Sequence, residues 1–229
     1  LNITTYTLRN GELPVSAKHL AKALNIRLEN IYTSDNPPVE EPLINWGRKN
    51  KVLGAINGAP TVNKLEALKT FRREGIRCPN VMELGDEFIV RKFRHYQGRD
   101  ILEGNKAFLV QKIRKSAEVR LDVYERSPGD FRCFRLHTKT PHQDTGFVWN
   151  RNNVAWATVG YRSMRDTLGE NFNEVISLAK SAVKSLGYNF GAVDIIRNED
   201  DGLWYALEVN KAPNLGEVGA RSYARRLTQ

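Results

Sequence analysis

Two carboxylates and an amide stand near the end of this 229-residue chain in surroundings where charge is out of place. Asp194 lies in the apolar run 192–196, and Glu208 and Asn210 lie in the run 203–210. Both runs are short and rich in β-formers, and residues 198–202 between them carry the Asn, Asp and Gly of a hairpin turn. On such a hairpin Glu208 and Asn210 share a face, and Asp194 on the partner strand can join them. Carboxylates in apolar strands are costly unless they are paired or bound to metal. Hard oxygen donors of this kind suit Mg²⁺, which is often held by one or two carboxylates plus substrate phosphates. The plainer alternative is a solvated hairpin face. Two features favour the metal: the obvious solvent charges sit in the turn, and Asn210 runs into Lys211-Ala212-Pro213-Asn214, where Pro213 stops the strand.

The elements that must position these residues follow from periodicity. A strand over 3–8, a helix over 16–24 with Ser16 as N-cap, and a short apolar strand over 42–47 make a small α/β unit. Asn45 and Trp46, at the end of that strand, face a ligand or sit in a turn. Asn57-Gly58-Ala59-Pro60 marks a domain boundary, so residues 1–57 form one unit and 58–229 the next. The spacing of Leu65, Leu68 and Phe71 predicts a helix over 63–74 that stops at Gly75. Strands are predicted over 88–93 and 107–113, around a basic loop that holds His95 and Gly98. An antiparallel pair over 118–125 and 131–138, and a short strand over 146–149, come next. Helices are predicted over 173–186 and 216–228. Antiparallel strands with intervening helices define an α+β fold.

Composition bounds the rest. Hydrophobic residues make up 41% of the chain, enough for a packed core. No apolar run approaches the roughly 20 residues that span a bilayer, so no membrane partner is expected. Residues 1–6 lack the basic start and apolar core of a signal peptide, and Cys78 and Cys133 are isolated, so a cytoplasmic location is the default expectation. The net charge of +9 attracts anions, whether nucleotides, nucleic acids or acidic peptides. The familiar phosphate loops, G-x-x-x-x-G-K-[ST] and G-x-G-x-x-G after a strand, are absent, as is the G-x-S-x-G elbow.

The order of elements then carries a resemblance. Lys64 opens a helix that ends in Gly75-Ile76-Arg77-Cys78-Pro79. The pair Arg91-Lys92 follows, then Gly98, a strand ending in Gln111-Lys112-Ile113, and Glu118-Val119-Arg120. Asp194, Glu208 and Asn210 close the series, with Pro213 three residues on. Over residues 57–215 this resembles the ATP-grasp ligases, and is most similar to the ribosomal-protein glutamate ligase and tubulin-tyrosine-ligase-like branch. The resemblance implies an ATP-grasp domain, with a lid subdomain over about 80–113, preceded by a small reduced α/β domain. It implies ATP and Mg²⁺ as cofactors, a carboxylate donor and an amine acceptor as partners, and amide formation through an acyl phosphate. Lys64 and one of Arg91 and Lys92 would hold ATP phosphates. Gln111, Lys112 and Ile113 would form the adenine-binding hinge. Arg120 and Lys139 would stabilise the transferred phosphoryl group, and Asp194, Glu208 and Asn210 would carry the metal. Two features depart from the family pattern: the loop between the lid strands has the single glycine Gly98, and the hinge carries Gln-Lys where an acidic residue is often seen. Asn45, Trp46, Arg151, Asn152, Asn153 and Asn214 are candidates for the acceptor pocket, and an anionic, peptide or protein substrate suits the basic chain.

Two rivals remain at this level. Residues 16–27 read as one arm of a helix-turn-helix in a basic nucleic-acid-binding protein. The other rival is a degenerate ATP-grasp protein that binds nucleotide without ligating.

Overall fold

The computed structural model describes residues 1–8, 10–33, 42–81, 88–92, 107–141 and 154–228. The chain opens with β1 (Asn2–Thr5), α1 (Val15–Ala23), a single 3₁₀ turn at Leu28–Asn30, β2 (Ile31–Tyr32) and β3 (Leu43–Trp46). The three strands form a parallel sheet in the order β2-β1-β3. Helix α1 starts one residue earlier than its periodicity suggests, with Pro14 at the N-cap. Ser16 is therefore inside the helix, where its hydroxyl accepts from Trp46 Nε1 at 3.2 Å. Among the described residues, the element that follows the 3₁₀ turn is a strand paired with β1, where a helix-turn-helix would place its second helix.

Helix α2 (Lys64–Arg73) is capped by Asn63, whose side chain accepts from the Glu66 amide at 3.0 Å. It buries Ala67, Leu68 and Phe71. Strands β4 (Phe88–Lys92) and β5 (Ala107–Gln111) pair antiparallel in a sheet of their own. The rest of the chain supplies β6 (Lys115–Ser127), β7 (Asp130–Pro141), β8 (Val154–Gly160), α3 (Tyr161–Leu168), α4 (Phe172–Ser185), β9 (Phe190–Asn198), β10 (Trp204–Asn210) and α5 (Glu217–Leu227). Its strands form a five-stranded antiparallel sheet in the order β10-β9-β6-β7-β8. The predicted strand over 146–149, with Gly98, His95 and His142, lies outside the described residues.

Alternation divides this sheet. Val119, Leu121 and Val123 of β6, Leu136 of β7, and Val193 and Ile195 of β9 join the apolar face of α4 and Leu68 and Phe71 of α2 in one core. A second cluster joins Trp46, Leu20 and Ile44 to Phe190, Tyr124, Phe134 and Tyr223. It reaches across residue 57 in sequence, and α1 and α5 pack together within it. Asn57 ties the same junction. It is fully buried with φ +62°, its side-chain oxygen accepts from the Asn189 amide at 3.0 Å, and its own amide donates to Asn189 Oδ1 at 2.6 Å. Among the described residues no helix is long and apolar enough to cross a membrane.

Candidate active site

The other face of the five-stranded sheet is charged, and strand register lays its residues out in rows. One row reads Trp156, Lys139, Glu118 across β8, β7 and β6. The next reads Thr158, His137, Arg120, Asp194, Glu208 across all five strands. A third reads Gly160, Arg135, Asp122, Ala192, Asn210. A register shift in β10 between Ala206 and Glu208 sets Glu208 directly opposite Asp194. Opposed side chains on one face of a sheet lie about 5 Å apart at Cβ, so these rows bring the groups into contact.

Asp194 is the centre. Arg120 clamps it with two bonds of 2.7 Å, Nε to Oδ1 and Nη2 to Oδ2. Such a paired fork is among the strongest charge-assisted arrangements. Lys139 Nζ lies 3.5 Å from Asp194 Oδ1 and also bonds Glu118 Oε1, while Lys115 holds Glu118 Oε2 at 2.8 Å. Lys64, the first residue of α2, pairs with Glu208 Oε2. Asn210 Nδ2 spans the two carboxylates, 3.4 Å from Asp194 Oδ2 and 3.3 Å from Glu208 Oε1. Burial alone would push the Asp194 pKa up, but Arg120, then Lys139 and Lys64, hold it well below the usual carboxylate range. Burial likewise works against the Arg120 charge, and Asp194 outweighs it, so Arg120 holds its proton more tightly than usual.

The residues fit a magnesium site of limited kind. Among the described residues no three His, Cys, Asp or Glu side chains group as a metal cage. What converges is two carboxylates and an amide, the number of protein donors that suffices when substrate phosphates complete the coordination. Asn210 shows the carboxylates its nitrogen; half a turn about its last side-chain bond exchanges that for its oxygen.

A cleft of about 240 Å³ opens beside Lys64, Glu208 and Asn210, bounded by Tyr6, Gly47 and Lys211. Tyr6 and Gly47 follow the carboxyl ends of β1 and β3, where the order of the parallel sheet reverses, the usual crevice for ligands in such sheets. Gly47 has φ +87°, and a Cβ there would meet Ala212 Cβ at 2.7 Å, so the close approach requires glycine. Lys211 is only 3% exposed; its ammonium donates to the Ala59 carbonyl and lies 5.5 Å from the Tyr188 ring centre. Burial pushes its pKa down to about 8.

The structure thus brings Lys64, Arg120, Lys139, Asp194, Glu208 and Asn210 together. Arg91 and Lys92 lie on β4, opposite Phe108 and Ala107. Gln111 ends β5; its amide donates to the Asn80 carbonyl at 2.8 Å and its side chain accepts from the Asn80 amide at 3.2 Å. Ile113 is buried and Lys112 half-buried in the segment leading to β6. Asn214 is exposed after β10. Arg151, Asn152 and Asn153 lie outside the described residues. Asn45 and Trp46 correct the pocket expectation, because both are fully buried. Trp46 stacks on Phe190 with ring centres 5.4 Å apart and meets Tyr223 edge-on, while Asn45 Oδ1 accepts from the Arg48 amide at 3.0 Å.

Glu118, Asp122, Arg135, His137 and Trp156 complete the face and were not named as site residues from sequence. Their signal was a period of two: Glu118, Arg120 and Asp122 alternate with Val119, Leu121 and Val123. Neither cysteine offers a nucleophile. Burial pushes the Cys78 thiol up to about 11 and the Cys133 thiol up to about 12, which leaves both protonated at neutral pH.

No family model matches the sequence, and no curated protein matches it. Solved structures match it in fold. VanG D-Ala:D-Ser ligase from Enterococcus faecalis superposes with a TM-score of 0.63 at 12% identity, covering 100% of this chain and 99% of that one. The macrocyclase MdnC from Microcystis aeruginosa MRC, bound with precursor peptide MdnA, gives 0.61 at 11% identity, covering 99% of each chain. The ATP-grasp ligase PsnB, complexed with a phosphomimetic variant of minimal precursor, Mg and ADP, gives 0.61 at 12% identity, covering 99% of this chain and 97% of that one. The chain has the ATP-grasp fold.

Proposed function

We propose that this protein is an ATP-dependent carboxylate–amine ligase. The observation that carries the reading is the row Arg120–Asp194–Glu208, flanked by Lys139 and Lys64 and open to the cleft at Glu208. A transferred γ-phosphoryl group asks for cations around its oxygens and fixed positions for its partners, and little else from the protein. Arg120 and Lys139 face the transferred group. Lys64, with Arg91 or Lys92, holds the nucleotide phosphates, and Gln111, Lys112 and Ile113 form the hinge for adenine, partly through backbone groups. Asp194, Glu208 and Asn210 would hold Mg²⁺, which when bound offsets the charge of the phosphate oxygens.

The carboxylate of one substrate attacks the γ-phosphorus, the bond from that phosphorus to the β–γ bridging oxygen breaks, ADP leaves with the electron pair, and an acyl phosphate remains. The amine of the other then forms the C–N bond and phosphate leaves. No protein nucleophile takes part, in keeping with the two protonated cysteines. The net charge of +9 favours anionic substrates, and the MdnC and PsnB structures, each with a precursor bound, support a peptide among them. The test is a screen of carboxylates and amines for phosphate release from Mg·ATP. Release that needs both a carboxylate and an amine is expected. ATP binding with no release under any combination would point to a nucleotide-binding protein that does not ligate.

A further inference from the structure

The charged face holds a second connected group that the phosphoryl-transfer roles leave unused. Asp122 is completely buried on β6. Its Oδ2 accepts from Arg135 Nε at 2.6 Å and lies 3.2 Å from His137 Nε2, and its Oδ1 accepts from the Tyr223 hydroxyl at 3.1 Å. A carboxylate facing Nε2 selects the imidazole form with its proton there, which leaves the Nδ1 lone pair to accept. Nδ1 lies 2.8 Å from Thr158 Oγ1. Thr158 is exposed on β8, so the chain of contacts runs from a buried carboxylate to the surface of the reaction face.

The position of the group matters as much as its composition. His137 is the register partner of Arg120, the residue that clamps Asp194. Its charged and aromatic neighbours are Arg120 and Asp122 from β6, Arg135 and Lys139 on its own strand, and Trp156 from β8, whose ring stands edge-on with centres 6.2 Å apart. Tyr223 reaches it from α5 through Asp122. A carboxylate-oriented imidazole beside a hydroxyl is the arrangement in which a histidine accepts a proton through that hydroxyl. Stability alone does not call for it, because Arg135 and Tyr223 already satisfy Asp122.

We propose that Asp122, His137 and Thr158 form a proton relay that deprotonates the ammonium group of the acceptor. The inference rests on the ligase reading. An ammonium N–H approaches Thr158 Oγ1, and the hydroxyl passes its own proton to His137 Nδ1 as it takes one from nitrogen. The freed lone pair forms the C–N bond at the acyl-phosphate carbon. The C–O bond to phosphate breaks, its electron pair leaves with phosphate, and that phosphate takes the second nitrogen proton. The products are the amide, hydrogen phosphate and a protonated His137, which returns its proton to solvent past the exposed Thr158. Asp122 touches no substrate and is a positioning residue.

Two measurements test the relay. Nitrogen NMR of the His137 ring, assigned with His137→Gln, reads the tautomer in the unliganded protein. The Nε2–H form is expected, and a neutral Nδ1–H form would overturn the proposal, because no lone pair would then face Thr158. The second measurement offers the carboxylate and amine found by phosphate release in competition with hydroxylamine, a nucleophile already uncharged at neutral pH. Thr158→Val and His137→Gln are expected to lower the ratio of amide to hydroxamate by about 10²-fold, and Thr158→Ser to restore it. An unchanged ratio in both variants would overturn the relay and leave the ligase reading intact. A wild type that releases no phosphate with any carboxylate removes the ligase reading, and the relay with it.

Discussion

The two faces of the five-stranded sheet are built from the same strands and obey opposite rules. On β6, Val119, Leu121 and Val123 enter the core against α4, while Glu118, Arg120 and Asp122 enter a layer of paired charge. The apolar face stabilises the fold through removal of surface from water. The charged face takes ions out of water, and such pairs at best roughly offset that cost. A sheet made only for stability would bury hydrocarbon on both sides. On the proposed function, the charged face is retained for the metal and phosphates it would bind.

Substitutions can break this comparison. The largest expected effect is in the apolar junction: Trp46→Ala should cost about 3–5 kcal/mol in urea unfolding, because its ring fills the contact between Phe190 and Tyr223. A ligand role for Trp46 would instead appear as weakened substrate binding at full stability. Leu121→Ala should cost about 2–5 kcal/mol and leave nucleotide affinity per folded molecule unchanged. Glu208→Ala should do the reverse. The Glu208–Lys64 pair is partly exposed, so stability should change by less than about 1 kcal/mol, while phosphate release falls by about 10²–10³-fold. Equal damage to binding by Leu121→Ala and Glu208→Ala would show that the faces are not separable.

Lys211 adds a contrast, because among the described residues it is a buried cation with no carboxylate bonded to it. Its folded pKa of about 8 lies below the ordinary 10.5. Below pH 8 the folded protein carries the full cost of the buried charge. Between 8 and 10.5 the unfolded chain binds the proton that the folded one has released, so stability rises with pH across that window. Lys211→Met is therefore expected to stabilise by about 1–2 kcal/mol at pH 7, with the gain shrinking as pH climbs past 8. Urea titrations at pH 7 and pH 9.5 read it. A gain that does not change with pH would assign the effect to packing. The smallest effect is expected at Trp156, which is 41% exposed and lies over Lys139 and Arg120 at 4.7 and 5.3 Å. Trp156→Leu should slow phosphate release only a few-fold, the equivalent of about 0.5–1 kcal/mol.

Local chemistry made part of this architecture legible in the sequence. The hairpin of β9 and β10 announces itself through the Asn, Asp and Gly of its turn, and α2 and α4 through apolar spacing. That Glu208 and Asn210 share a face followed from alternation along one strand, whereas their meeting with Asp194 depends on the register shift between Ala206 and Glu208, which regular hairpin pairing would not produce. The Arg120–Asp194 clamp was not legible either, because β6 and β9 are joined only by the register of the whole sheet, across 74 residues. Strand β6 begins at Lys115, earlier than expected, since its inward-facing charges read as solvent-facing. Strand β8 offered no signal because Ala155 to Thr158 are exposed and show no buried stripe, and helix α3 buries only Met164 and Leu168, too few for a periodic stripe. Trp46 left a ligand contact and a turn open as readings, because the rings that bury it, Phe190 and Tyr223, lie far along the chain.

The central claim is that Asp194, Glu208 and Asn210 hold the metal that accompanies ATP. Calorimetric titration of a non-hydrolysable ATP analogue, with and without Mg²⁺, on the wild type and Glu208→Ala tests it most directly. Mg²⁺-dependent binding to the wild type that weakens sharply in the variant is expected. Binding that is equally strong in both proteins, or in the absence of Mg²⁺, would contradict it.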